Sequence, residues 1–147
     1  MKYIDSMRAG FSLLELLIVI TVVAIITSIA VPGWRTHVMA SRRTEAVAML
    51  MQIATRQEQF RIQQHRYAAS KELTTAPPGG LGILNTANRY ILTMTSSDHE
   101  FTAFATVNVN GTQADDQVCW LFGLDETGRR WSESNRGEIS TTQCWRG

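Results

Sequence analysis

The side chains that most often carry catalysis or bind metals are scattered along this sequence. His37, His65 and His99 do not have the spacing of metal ligands, and no Ser–His–acid set stands out. Asp115 and Asp116 could offer oxygen ligands to calcium, although an adjacent acidic pair lies more often in a solvated turn. We therefore predict no catalytic residues, no metal site and no cofactor.

Two cysteines, Cys119 and Cys144, lie near the C-terminus. Two cysteines of one chain usually pair in an oxidising compartment, and closing a loop of this size stabilises a fold by about 3 kcal/mol in the chain-entropy model. A metal site would need further ligands. If this part of the chain is exported, the prediction is a disulfide.

Glu15 is the only charged residue between Phe11 and Trp34. A carboxylate in an apolar membrane span costs about 2–3 kcal/mol on insertion scales, so such a residue usually has a function and a partner. The alternative is a tolerated charge near the membrane interface, where the N-terminus of a helix stabilises negative charge.

The apolar run FSLLELLIVITVVAIITSIAV begins at Phe11 and is long enough to cross a bilayer, since about 20 residues suffice. Lys2 and Arg8 precede it, which predicts a cytoplasmic N-terminus and an exported C-terminal part. A buried core helix is disfavoured because a domain of this size could not cover it. A secretory signal peptide cleaved after Ala30 is disfavoured because the apolar core is long and carries Glu15.

The string GFSLLELLIVI closely resembles the type IV prepilin signature, in which a short basic leader ends in glycine and a glutamate stands five residues later. The resemblance implies cleavage after Gly10 by prepilin peptidase and N-methylation of the new terminus at Phe11. It also implies that Glu15 of one subunit neutralises the Phe11 amine of a neighbour, since two charges that are costly apart become tolerable together. That pairing would set the axial register of a filament.

Pro32 and Gly33 follow the apolar run, and both residues disfavour helix. We expect a kink or local unwinding there; the alternative is that the first helix ends at Val31. Helical periodicity then resumes, with apolar residues at steps of three and four. The members of this stripe are Ala46, Leu50, Ile53, Phe60 and Tyr67. The pattern predicts an amphipathic helix packed on a sheet rather than a coiled coil, because the stripe is short and rich in glutamine.

Strand-like segments rich in β-branched and aromatic residues follow at residues 90–95, 101–109 and 118–124. The sequence Asp-Glu-Thr-Gly at residues 125–128 predicts a hairpin turn, with a short fourth strand at residues 129–132. The expected fold class is α+β. A long N-terminal helix, apolar in its first half and amphipathic in its second, packs on a sheet of three or four antiparallel strands.

Two further patterns resemble type IVa pilins. The run RQEQF at residues 56–60, followed by RYA at residues 66–68, is similar to the end of the long helix in PilE-like minor pilins. The cysteines flank a Leu-Asp-x-x-Gly turn and a tryptophan follows the second, as in the disulfide-bounded loop of these pilins. The resemblance implies a leader peptide at residues 1–10, a membrane or filament-core helix half at 11–33 and a periplasmic globular domain at 34–147.

The expected function is that of a structural subunit of type IV pili, a minor pilin acting in pilus assembly, adhesion or twitching motility, and not an enzyme. Its expected partners are other pilin subunits, prepilin peptidase and the pilus assembly machinery of the inner membrane. We expect a single-pass inner-membrane protein that moves to the cell-surface pilus.

Four alternatives stay open: a major pilin, a type II secretion pseudopilin, a DNA-binding competence pilin and a membrane-tethered enzyme. A formal net charge of +1 provides no strong field for nucleic acid. A DNA-binding pilin would instead use basic residues of the exposed domain, and Arg42-Arg43 and Arg129-Arg130 are the short basic clusters. Arg42-Arg43 also suits the simpler role of marking the exit from the apolar region.

Overall fold

The computed structural model describes residues 12–84 and 88–145, with the backbone alone at residues 31 and 32. It begins with one helix, α1, at Leu13–Gln64. The backbone stays helical through Pro32 and Gly33, so the helix neither ends at Val31 nor unwinds there, while a kink stays a prediction. The chain divides into two compact units between His37 and Val38, a few residues after the predicted boundary.

The first unit contains the apolar part of α1, which is long and apolar enough to cross a membrane. Its large apolar side chains between Leu13 and Ile29 are 49–83 % exposed. The hydroxyl groups of Thr21 and Thr27 donate to the carbonyl oxygens of Leu17 and Val23, one turn earlier. The polar atoms of these side chains are therefore satisfied inside the helix, as an apolar environment requires.

The second unit begins with the amphipathic part of α1, where the predicted stripe is confirmed from Ala46 to Phe60. Its last predicted member, Tyr67, is buried but lies beyond the end of the helix at Gln64. Ala46, Leu50 and Ile53 are fully buried, and Phe60 is nearly so. Gln57, which continues the stripe, is also fully buried. Its amide accepts from the backbone N–H of Ala68 at 2.8 Å and donates to the carbonyl of the same residue at 3.0 Å, so a polar side chain fills a core position without an unpaired group.

The sheet has four antiparallel strands in the order β1-β2-β3-β4. Their bounds are β1 Tyr90–Ser96, β2 Phe101–Val107, β3 Leu121–Asp125 and β4 Arg130–Glu133. A 3₁₀ turn at Ser70–Glu72 lies between α1 and β1, and a short helix, α2, at Thr141–Cys144 follows β4. The α+β class and the sheet are as predicted.

The third strand begins at Leu121 rather than at the predicted Val118. The backbone N–H of Cys119 donates to the buried carboxylate of Asp116 at 3.1 Å, so the preceding segment is held as a loop instead of joining the ladder. The hairpin turn after β3 is confirmed. Asp125 accepts from the backbone N–H groups of Thr127 and Arg129, and Gly128 adopts φ +80°, a conformation that glycine adopts at no steric cost.

The two faces of the sheet differ in character. The inner face belongs to the core, where the rings of Tyr67 and Phe101 meet edge-to-face at 5.0 Å and those of Tyr90 and Phe122 at 5.9 Å. The outer face carries half-buried side chains in alternate positions of β2, β3 and β4. This outer face is therefore open to a ligand or partner.

Candidate functional sites

The predicted processing site, Gly10 and Phe11, lies outside the described residues, and cleavage and methylation there stay predictions. Glu15 lies in the first turn of α1 and is exposed. Its carboxylate is thus available to a cation from outside the chain, at the end of the helix where negative charge is stabilised. The structure contains one chain, so the pairing with a neighbouring subunit also stays a prediction.

The Arg42-Arg43 and Asp115-Asp116 clusters meet in space. Arg43 forms a bidentate ion pair with Asp116, at 2.7 and 2.9 Å, and Arg42 donates to the carbonyl oxygen of Thr112 at 2.7 Å. Asp116 is only 2 % exposed. The interpretation of this acidic pair as a solvated turn is therefore wrong for Asp116, which joins α1 to the loop between β2 and β3.

Metal binding receives no support from the described part of the chain. No group of three or more histidine, cysteine, aspartate or glutamate side chains could hold a metal ion there. The buried carboxylate of Asp116 already receives an arginine, the amide of Gln113 and the backbone N–H of Cys119.

Cys119 and Cys144 form the predicted disulfide, with their Cα atoms 5.7 Å apart. The bond connects α2 to the loop that precedes β3. Next to it, the indole N–H of Trp145 donates to the carbonyl oxygen of Trp131 at 2.8 Å. The C-terminal segment is therefore joined covalently to the loop before β3 and by a hydrogen bond to β4.

Three exposed arginines lie between the two cysteines: Arg129, Arg130 and Arg136. We call them the free arginines, because none of the ion pairs in the described residues involves them; those pairs use Arg43, Arg66 and Arg89. Arg129 lies 5.9 Å from the ring centre of Trp131, and Arg130 lies 5.4 Å from that of Trp145. Contacts with aromatic rings orient these cations without neutralising them.

The sequence shows where basic residues cluster, but it does not show which of them form ion pairs. The cluster Arg129-Arg130 is visible in the sequence, but whether it forms ion pairs depends on where the acidic side chains lie after folding. Arg42-Arg43 is an equally basic pair in the sequence, and the structure engages both of its members.

Comparison with known families agrees with this architecture. Residues 5–31 match the prokaryotic N-terminal methylation motif. Residues 32–123, more than half of the chain, match the family described as "Type IV minor pilin ComP, DNA uptake sequence receptor".

The chain belongs to the type IV minor pilin ComP family. It is thus a subunit of type IV pili whose apolar N-terminal helix anchors it in a membrane before assembly. Members of the pilin family are structural subunits. The match to the family ends at Gly123, so β4, the free arginines and the second cysteine lie beyond it.

A solved structure described as a high-resolution structure of a type IV pilin from Shewanella oneidensis is similar to this minor pilin. The two share 21 % sequence identity with a TM-score of 0.47, over 63 % of this chain and 89 % of that one. No curated protein matches the chain.

Proposed function

We propose that this minor pilin is a DNA receptor carried by the pilus. The observation that carries the proposal is the match of residues 32–123 to a family described as a DNA uptake sequence receptor. The folded second unit would bind DNA, and the apolar part of α1 would hold that unit in the filament. The net charge of the chain did not favour DNA binding, whereas this proposal is based on the positive charge of a few exposed arginines.

The free arginines support phosphate binding. Most of the affinity of a protein for DNA comes from cations that neutralise phosphates and release counterions, and this requires cations that no carboxylate already neutralises. Arg130 and Arg136 meet that requirement within the described residues, and Arg129 also forms no ion pair there, although the Asp125 carboxylate lies near enough to feel its charge. They are also exposed, so a duplex can approach them without unfolding any element.

Membrane anchoring follows the prepilin route in this proposal. The N-terminus lies in the cytoplasm and the helix crosses the inner membrane once. Prepilin peptidase cleaves after Gly10, and Phe11 is then methylated. In the filament the exposed carboxylate of Glu15 pairs with the Phe11 amine of a neighbouring subunit, and other pilins and the assembly machinery are the partners.

The test measures binding of the full-length chain, purified in mild detergent, to a fluorescent duplex at several salt concentrations. We expect the affinity to fall as salt rises, because bound cations release counterions. The triple variant R129Q/R130Q/R136Q should bind more weakly and with a shallower salt dependence. Its matched control, R56Q/R61Q/K71Q, removes the same number of positive charges from exposed residues on α1 and the 3₁₀ turn.

Each outcome decides a separate part of the proposal. Absence of salt-dependent binding by the wild-type chain would refute the receptor function. If the control triple variant lost affinity and the free-arginine variant kept it, the receptor function would stand and its site would lie on the α1 side. Competition with unrelated duplexes measures whether a particular sequence is preferred.

A further inference from the structure

A groove of about 440 Å³ lies on the outer face of the sheet, beside the free arginines. Such a volume is sufficient for a small planar ligand. Its lining combines one aromatic ring with cationic, anionic, hydroxyl and apolar side chains. The residues used in the argument are Thr102, Asp125, Arg129, Trp131, Glu133 and Ile139.

Trp131 is held in the groove by Gly123, its neighbour across the strands. A Cβ atom at position 123 would lie 2.2 Å from Cε2 of the indole, so any larger residue would displace the ring. Phe104 supports the same ring edge-to-face at 5.9 Å, and Arg129 lies 5.9 Å from its centre. The sheet thus holds an indole ring in a fixed place next to a guanidinium group.

The carboxylates of the groove restrict the chemistry of its ligand. Burial opposes ionisation of Asp125, but hydrogen bonds from the Thr127 hydroxyl and from two backbone N–H groups lower its pKa. All of these bonds reach Oδ1, and no described residue donates to Oδ2. Asp125 and the half-buried Glu133 would repel a phosphate, whereas carboxylates accept well from the amino groups of nucleobases.

We propose that this groove binds an unpaired, amino-bearing nucleobase of single-stranded DNA. The base replaces the guanidinium group of Arg129 over the ring of Trp131, and its amino group donates to Asp125 or Glu133. The displaced Arg129 donates to the ring nitrogen or carbonyl of the base. The base must be unpaired because its flat face is buried against the adjacent base pairs in a duplex. The inference rests on the proposed receptor function and extends it from phosphate binding to base recognition.

The experiment compares three labelled single strands of equal length: oligo-dC, oligo-dT and a strand of abasic sites with the same phosphates. The full-length chain in detergent should bind oligo-dC most tightly. Trp131→Ala should weaken oligo-dC binding about ten-fold, because stacking contributes strongly per base, and should weaken binding of the abasic strand and of duplex much less, since only the orientation of Arg129 changes there. Trp34→Ala, which also removes an exposed tryptophan, is the matched control and should change nothing.

Two further measurements cover specificity and folding. The double variant D125N/E133Q should reduce the preference for oligo-dC over oligo-dT. Ultraviolet crosslinking of the wild-type chain to a strand containing 5-iodocytosine should yield a crosslinked peptide that contains Trp131, and this readout needs no variant to fold.

Equal binding of oligo-dC and the abasic strand, or an unchanged affinity in W131A together with a crosslink elsewhere, would overturn the base-binding groove. Duplex binding tests the receptor function separately. A chain that binds duplex but does not distinguish oligo-dC from abasic strand refutes only the groove. A chain that binds no duplex but crosslinks at Trp131 refutes the duplex-receptor function and leaves a base-binding groove.

Discussion

Asp116 has a different environment from the one that its neighbours in sequence suggest. Its partner, Arg43, is 73 residues away, and nothing in the spacing of either residue indicates that they meet. The side chain of Asp116 is 1 % exposed and that of Arg43 is 16 % exposed. Removal of one member of such a pair leaves a buried charge without compensation, which destabilises a protein far more than loss of a surface ion pair.

We expect Arg43→Met to lower the free energy of unfolding by about 3 kcal/mol, because it leaves the Asp116 carboxylate buried without a cation. Denaturant titration of the chain in detergent measures this loss. Arg42→Met is the matched control: it removes a hydrogen bond to a backbone carbonyl and should cost only about 1 kcal/mol. Equal losses of unfolding free energy in the two variants would show that the buried ion pair stabilises the fold no more than a hydrogen bond to a backbone carbonyl does.

Glu72 gives the fold a pH dependence. The guanidinium group of Arg66, with the backbone N–H of Ala69, lowers the pKa of Glu72 from 4.5 to about 2. A group whose pKa is lowered by folding stabilises the protein above its unfolded pKa and loses that effect as the pH falls towards its folded pKa. The contribution of Glu72 is therefore complete above pH 4.5 and disappears towards pH 2.

For Glu72→Gln, we expect a lower stability than wild type at pH 7 and a difference that vanishes as the pH approaches 2. Thermal unfolding followed by circular dichroism across this range measures both chains. A difference that is independent of pH would mean that Glu72 acts through packing rather than through its charge.

At the scale of the elements, hydrophobic periodicity was sufficient to predict the helix and the sheet. The stripe that begins at Ala46 becomes the buried face of α1, and alternation along β2 becomes its inner and outer faces. Polar residues with distant partners were harder to place. Gln57 is buried because its amide matches both backbone groups of Ala68, a geometry that exists only after the chain folds back.

Some of the candidate sites can likewise be predicted from the sequence, and others cannot. The disulfide and the Arg129-Arg130 cluster are visible in the sequence because they depend on composition and local spacing. The groove beside Trp131 is not visible in the sequence, because it forms only where Gly123 on β3 faces Trp131 on β4. A glycine within a strand was the available signal, because such a residue often permits the close approach of another group.

The packing of α1 on the sheet predicts a strong asymmetry between its two faces. Leu50→Ala should lower the free energy of unfolding by about 3 kcal/mol, since it removes a fully buried side chain and leaves a cavity. Ile62→Ala, on the same helix, removes an apolar side chain that is 76 % exposed. It should change the free energy of unfolding by about 0.5 kcal/mol or less. Comparable losses would mean that the helix is not packed as described.

At the scale of the whole molecule, we propose that filament entry depends on the first unit and DNA binding on the second. We expect Glu15→Leu to reduce the amount of the chain in sheared pili without changing the stability of the folded unit, because the substitution removes only the carboxylate that we propose to pair with a Phe11 amine. Immunoblots of sheared filaments and of membranes measure this distribution. Glu100→Leu, at an exposed glutamate of the second unit, is the control for loss of a carboxylate.

If Glu15→Leu subunits entered pili as efficiently as the wild type, the pairing with Phe11 would be refuted. The family assignment would stand, because it rests on the matches to the N-terminal motif and to residues 32–123.

We propose that this minor pilin presents a DNA-binding surface on the pilus. The most direct test of this proposal is the retention of labelled duplex DNA by filaments sheared from cells that make either the wild-type chain or R129Q/R130Q/R136Q, at equal amounts of the chain per filament. We expect wild-type filaments to retain the duplex, with a retention that falls as salt rises and is strongly reduced in the variant. Equal, salt-dependent retention by both would contradict the assignment of the free arginines, and no retention by wild-type filaments would contradict the receptor function itself.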